Sequence, residues 1–181
     1  MSWAVVKVKN TMNKVKELTY RESSVGEAAV DGLVSGILAG AGMALYLVVV
    51  GIVVGDGPGS VLSRFDPGSG FSPLNGALAH VAVSGVYGMV YGLVWQPLAR
   101  SRLGTGVLGR WLPWLAGLAY GFALLLVAEA MTLRLPGASS PLRDIPFQHL
   151  LLAHLIYSLV LSLLVRRRDR SYPLPDDRQV C

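Results

Sequence analysis

The sequence predicts an all-α polytopic membrane protein: a bundle of four transmembrane helices preceded by an amphipathic helix lying along the membrane surface. Three observations predict it. The 181 residues are 52% hydrophobic and only 15% charged, with a mean hydropathy of +0.51, whereas soluble domains carry about 25% charged residues. The apolar residues are gathered into four stretches, each near the ~20 residues that cross a bilayer core. The cations are sorted by loop, thirteen of the sixteen Lys and Arg falling before the first stretch, between the second and third, or after the fourth.

Residues 1–27 form a segment of their own. Val5, Val8, Met12, Val15 and Leu18 recur at three- and four-residue steps, with Lys7, Lys14, Lys16 and Glu17 on other faces, the pattern of an amphipathic helix over residues 3–20. A basic stripe of this kind beside a span suits an anionic leaflet, with the groove of a partner protein as the rival surface. Trp3–Val6 is too short for the apolar core of a secretion signal, so the first span is expected to stay in the protein. "ESSVGEAAVDG" reads as the linker to it.

The membrane domain, residues 28–165, holds spans at 32–54, 73–98, 111–133 and 146–165. The loops after spans one and three are dense in Gly, Pro and Ser and read as turns, with one short helix around Val61–Phe65. Ser72 followed by Pro73 is a cap-and-start signal for span two; Ser140-Pro141-Leu142 repeats it, with a restart at Asp144 and Pro146 in the first turn. Spans two and four each carry a histidine about two turns in, His80 before Ser84 and Gly88, His154 before Ser158 and Ser162. This pattern suggests a duplicated helical hairpin, two copies related by an axis along the membrane normal. Residues 166–181 form a cytoplasmic tail.

The cation distribution places both termini in the cytoplasm. It also accounts for the net charge of +5 without a nucleic-acid partner. Trp95, Trp111 and Trp114 fall at the cytoplasmic ends of spans two and three, where indoles anchor in the headgroup zone. Asp31 reads as a first-turn carboxylate favoured by the helix dipole, and His149 as a solvated side chain at the outer interface. A single cysteine, Cys181, rules out an intrachain disulfide.

Between lipid-embedded helices the attraction comes from close backbone approach rather than from the hydrophobic effect. Every span carries small residues for it: Gly32, Gly36 and Gly40 on span one, Ser84, Gly88 and Gly92 on span two, Gly117 and Gly121 on span three, Ser158 and Ser162 on span four. The stripes suit either packing within the chain or self-association.

At 1.5 Å per residue, His80 lies roughly 10 Å and His154 roughly 12 Å below the outer ends of their spans, and Glu129 about 6 Å below the end of span three. Tyr46 and Tyr157 fall at a similar or slightly deeper level. Intramembrane ionisable groups are costly and face the bundle interior, so His80, His154, Glu129, Tyr46 and Tyr157 form the candidate site. Three readings fit. The residues pair with one another or with backbone and fix helix register; His80 and His154 ligate a b-type haem or lie beside a quinone, Gly85 and Gly88 leaving room; or His80, His154 and Glu129 hold a divalent metal.

No Walker loop, HExxH, GxSxG or CxxC occurs, which disfavours catalysis of the kinds those motifs carry. A transporter of small solutes or ions would require a homo-oligomer, because the prolines Pro97 and Pro113 sit at span ends and break no helix at mid-depth.

"AHVAVSGVYGMVYGLVW", "LAHLIYSLVLSLLV" and the Gly- and Met-bearing "GLVSGILAGAGMALYLVVV" give the chain its one likeness. It resembles a loose group of small bacterial four-helix integral membrane proteins of unknown function, whose even-numbered spans open with His followed by Gly or Tyr at helical spacing. His154 departs from this, being followed by Tyr157 and Ser158. The resemblance covers the four spans and neither tail, and implies a bacterial membrane protein with no particular activity. The expectation is a non-catalytic inner-membrane protein that serves other membrane subunits as an accessory or assembly factor, with the lipid bilayer as its solvent.

Overall fold

A computed structural model of the chain describes residues 24–68, 70–101, 104, 107–134 and 145–170. The expected amphipathic helix, the second Ser-Pro-Leu start and the tail from residue 171 lie outside them. Among the described residues the protein is all-α: α1 (Val25–Val53), α2 (Pro58–Ser63), α3 (Pro73–Arg100), a 3-10 turn (Val107–Arg110), α4 (Leu112–Arg134) and α5 (Phe147–Arg170). The four long helices are each long and apolar enough to cross a membrane.

Their ends differ from the expected spans for local reasons. Helix α1 begins seven residues before Gly32, because Ser24 and Glu27 form a reciprocal capping box: the Ser24 hydroxyl accepts from the Glu27 amide at 3.2 Å and the Glu27 carboxylate from the Ser24 amide at 3.0 Å. From Val25 onward the stretch read as linker is therefore helix, and Asp31 lies beyond the first turn. The S-x-x-E spacing is a sequence signal for such a start, whereas an apolar window sees only the part of the helix that lipid would cover. Helix α1 stops at Val53, and the chain turns away two residues on at Gly55, whose φ of +96° is open to glycine without strain, with the Asp56 amide returning to the Gly51 carbonyl at 2.8 Å. Ser72 caps α3 as expected, accepting from the Asn75 amide at 3.3 Å. Helix α5 starts at Phe147 and runs past Val165 through Arg166–Arg168, since cations suit a helix C-terminus and no proline intervenes before Pro173.

The long helices pack antiparallel in the order α3, α1, α5, α4 around the bundle. On the α1–α3 seam, a Cβ added at Gly32 would strike the Gly88 carbonyl, one at Gly36 the Ser84 carbonyl, and one at Gly88 the Gly36 backbone. A second seam joins α4 to α5, where Cβ atoms at Gly117 and Gly121 would press on Ser158. Helices α1 and α5 meet directly, while the backbones of α3 and α4 stand further apart. Aromatic side chains fill that gap: the Tyr91 and Tyr120 rings lie 5.0 Å apart, and the Tyr120 hydroxyl donates to the Tyr87 carbonyl at 2.7 Å. A strict two-fold relation between hairpins would make the α1–α5 and α4–α3 contacts alike, so the bundle departs from the symmetry that a duplication predicts.

The loop after α1 folds back as a cap on one end of the bundle, the Phe65 end. Val61 of α2 is buried against the space left by Gly51, and the Leu62 carbonyl fits into the notch at Gly76 of α3. Arg64 pairs with Asp56 at 2.8 Å. Asp66 accepts from the amides of Gly68 and Ser72 at 3.0 and 2.8 Å, and these two bonds hold its carboxyl below the usual carboxylate range. The opposite end carries the Arg168–Asp31 ion pair, 2.6 Å long, and is called the Asp31 end below.

Candidate functional site

The five polar residues singled out in the sequence lie toward the Phe65 end, and their hydrogen bonds divide them. His80 comes under the folded loop. Its ring packs on Phe65 with centroids 4.7 Å apart, and its Nε2 is 3.1 Å from the Gly40 carbonyl. A carbonyl only accepts, so Nε2 carries the proton and donates across the α1–α3 seam. Gly40 exposes its carbonyl there because it has no side chain to intervene.

His154 is buried on α5 and bonds within its own helix, Nδ1 donating to the Leu150 carbonyl at 2.8 Å. Its Nε2 is then the acceptor of the neutral ring. His80 and His154 lie within electrostatic reach of each other, and Glu129, half-buried on α4, within reach of His154. The two histidines that match in sequence thus hold opposite tautomers, one serving a helix seam and the other its own turn.

Tyr46 takes a partner that the sequence reading placed in solvent. Its hydroxyl lies 2.9 Å from His149 Nδ1, joining α1 to α5 near the Phe65 end. His149 is half-buried and belongs to this link. Tyr157 donates to the Ser84 carbonyl at 2.6 Å, and that carbonyl also lies over Gly36, so α1, α3 and α5 converge on one peptide group. Further along α5, the Ser162 hydroxyl donates to the Pro113 carbonyl at 2.5 Å, satisfying a group at the start of α4.

Several placements correct the sequence reading. No three His, Cys, Asp or Glu side chains among the described residues are arranged to hold a metal ion, so His80, His154 and Glu129 do not assemble as a ligand set. Trp95 is 5% exposed and stacks on Tyr91 at 6.1 Å, its ring inside the bundle rather than on the outer surface; Trp111 and Trp114 do face outward, 63% and 41% exposed. Asp31 binds Arg168 rather than serving only the helix dipole.

Sequence reasoning missed the aromatic layer of Tyr87, Tyr91, Trp95 and Tyr120. The four-residue steps from Tyr87 to Trp95 mark one helical face, but the same apolar appearance suits lipid. It also missed Gly76 and Gly51, whose notches receive residues of a loop rather than a span.

Chemically, the site is a set of hydrogen bonds from side chains to the backbone of neighbouring turns and helices. Such bonds fix register where no water competes. Among the described groups His154 Nε2 is an acceptor with a fixed tautomer, the arrangement seen in metal- and haem-ligating imidazoles whose other nitrogen donates to backbone. His80 Nε2, by contrast, is spent on Gly40. Comparison with known proteins adds no relative: no family model, no curated protein and no solved structure matches the chain.

Proposed function

We propose that the chain is a non-catalytic accessory or assembly subunit of a larger complex in a bacterial inner membrane, with both termini in the cytoplasm. The observation that carries this reading is the use made of the intramembrane polar side chains. His80, Tyr157, Tyr120 and Ser162 each donate to a backbone carbonyl of another helix, and Tyr46 pairs with His149. A catalytic or conducting site keeps polar groups for substrate; here they hold helices together. An even number of crossings puts the two ends on one side, and the Lys and Arg excess there supports the cytoplasm. The apolar faces outside the bundle, such as Leu115, Leu118, Phe122 and Leu126 on α4, are available to lipid and to other subunits or a second copy.

The test is mild-detergent purification of the full chain expressed at native level, with mass spectrometry of what elutes with it. A stoichiometric membrane protein that is lost when the α4 outer face is altered is the expected result. Recovery only as a free monomer overturns the reading.

One observation supports a second reading, a subunit binding haem b or a quinone. The Leu150 bond leaves His154 Nε2 in the donor-free state that iron takes up or that accepts from a hydroquinone. This reading predicts a Soret band or an extractable quinone that disappears in His154→Ala. A colourless preparation without quinone excludes it.

A further inference from the structure

Two described side chains are buried without a hydrogen-bond partner, the hydroxyls of Ser35 on α1 and Tyr91 on α3. Ser35 is fully buried and Tyr91 is 4% exposed. A hydroxyl left in this state costs free energy that proteins normally avoid by supplying a protein or water partner.

The two come to one level of the bundle. Asp31, Ser35 and Tyr46 share a helical face, and Asp31 and Tyr46 bind Arg168 and His149 of α5. Ser35 therefore faces α5 between those two links, and counting along α5 sets Ser162 opposite it. On α3 the seam pairs Gly88 with Gly32 and Gly92 with Ala28 and Gly32, which starts Tyr91 closer to the Asp31 end than Ser35. Side chains on a helix lean toward its N-terminus, which for α3 is the Phe65 end. The phenol thus rises toward Ser35 and faces the Ser162 hydroxyl, at a geometry short of a hydrogen bond. Ser162 has given its proton to Pro113 and presents only lone pairs.

We propose that Ser35, Tyr91 and Ser162 form an internal water-binding site at the junction of α1, α3 and α5. One ordered water accepts from the Ser35 and Tyr91 hydroxyls and donates to Ser162 Oγ. That gives it three partners, the usual number for a buried water, and satisfies both orphaned hydroxyls. Unlike the direct bonds nearer the Phe65 end, this link ties three helices through an exchangeable molecule.

Water-edited solid-state NMR on the full chain in lipid bilayers tests this. Magnetisation from water is expected at Ser35 Cβ and Tyr91 Cζ at mixing times that leave Ala39 and Leu161, both fully buried, without signal. Tyr91→Phe is expected to weaken the Ser35 response. Transfer to Ser35 no faster than to Leu161 overturns the proposal. The stability of conservative variants gives a second readout: Ser35→Ala and Tyr91→Phe each lower the unfolding midpoint by about 2–4 °C, and the pair together by little more than either alone, since both lose one shared water. A rise in the midpoint, which removal of an unsatisfied hydroxyl would give, or full additivity, overturns it as well.

Discussion

At the scale of single residues, glycine is used in this chain in two opposite ways, and substitution separates them. A Cβ at Gly88 would meet the Gly36 Cα and the Gly32 carbonyl, backbone that has nowhere to move unless α1 and α3 part. Gly88→Ala is therefore expected to destabilise the protein by about 1–3 kcal/mol, the usual cost of overpacking. Gly42, on the same helix as Gly32, has nothing within 4 Å of its would-be Cβ. Gly42→Ala removes only the entropic cost of a helical glycine and is expected to stabilise by about 0.5–1 kcal/mol. Thermal unfolding of both variants in one detergent checks the contrast in sign. The spacing of Gly32, Gly36 and Gly40 was legible in the sequence, but the helix they face was not, because every span offered a similar stripe. The polar residues show the same limit. Helical rise gave the depths of His80 and His154 but not the direction of each ring, so the Gly40 partner of one and the Leu150 partner of the other were invisible. Tyr46 was assigned a depth and His149 a place at the interface, yet a histidine within a few residues of a span end reads as solvated until the Tyr46 hydroxyl is seen to point at it across α1 and α5.

At the scale of elements, the cap formed by residues 54–72 shows how far local signals reach. Ser72 at a cap was readable from residue type and order, whereas the short helix expected around Val61–Phe65 starts three residues earlier, at Pro58 in its first turn. What the sequence did not disclose is that this loop packs into the bundle, because the notches at Gly51 and Gly76 and the Phe65 ring over His80 are contacts between segments. Within the cap, the amides of Gly68 and Ser72 both hang on the Asp66 carboxylate. Its folded pKa is depressed, so its contribution is present above the unfolded value, ~3.9, and is lost as pH falls through the lower folded value. The amide resonances of Gly68 and Ser72 are therefore expected to titrate together with a midpoint below that of a free aspartate, and to stay constant from there to neutral pH. Asp66→Ala removes both bonds and is expected to abolish that shared titration while leaving the four spans in place. Titration at the ordinary aspartate value would show that the carboxylate does not hold the turn. A comparable test within the bundle is Tyr157→Phe, which deletes the bond to the Ser84 carbonyl and leaves the ring. The loss is expected to be about 0.5–1.5 kcal/mol, read from the unfolding midpoint.

At the scale of the molecule, the four apolar spans were legible because hydropathy is additive along the chain. The arrangement of the spans was not, since it depends on which faces meet. Two hairpins, α1 with α3 and α4 with α5, are each closed by small residues, and they are joined mainly where α1 meets α5. The links at the two ends of that junction differ in kind, one an ion pair and the other a hydrogen bond between a phenol and an imidazole. The Arg168–Asp31 pair is 39% and 27% exposed, so it contributes little, about 0–1 kcal/mol before salt screening; the Tyr46–His149 bond is likewise only part-buried. Between them Ala39 is fully buried on the face that Ser35 shares, and its small side chain sets how closely α1 approaches α5. It follows that the halves 1–104 and 105–181, expressed together as separate chains, should assemble in the membrane and purify as a pair, since each half brings its own closed seam. Asp31→Asn should leave that recovery nearly unchanged. Ala39→Leu should greatly reduce it by wedging the junction apart, whereas Leu38→Ala, on a side chain 52% exposed, should not. Pull-down through a tag on one half, scored for the other, decides the matter: if Ala39→Leu has no effect while loss of the ion pair does, the hairpins are held by charge at the Asp31 end and not by packing along α1 and α5.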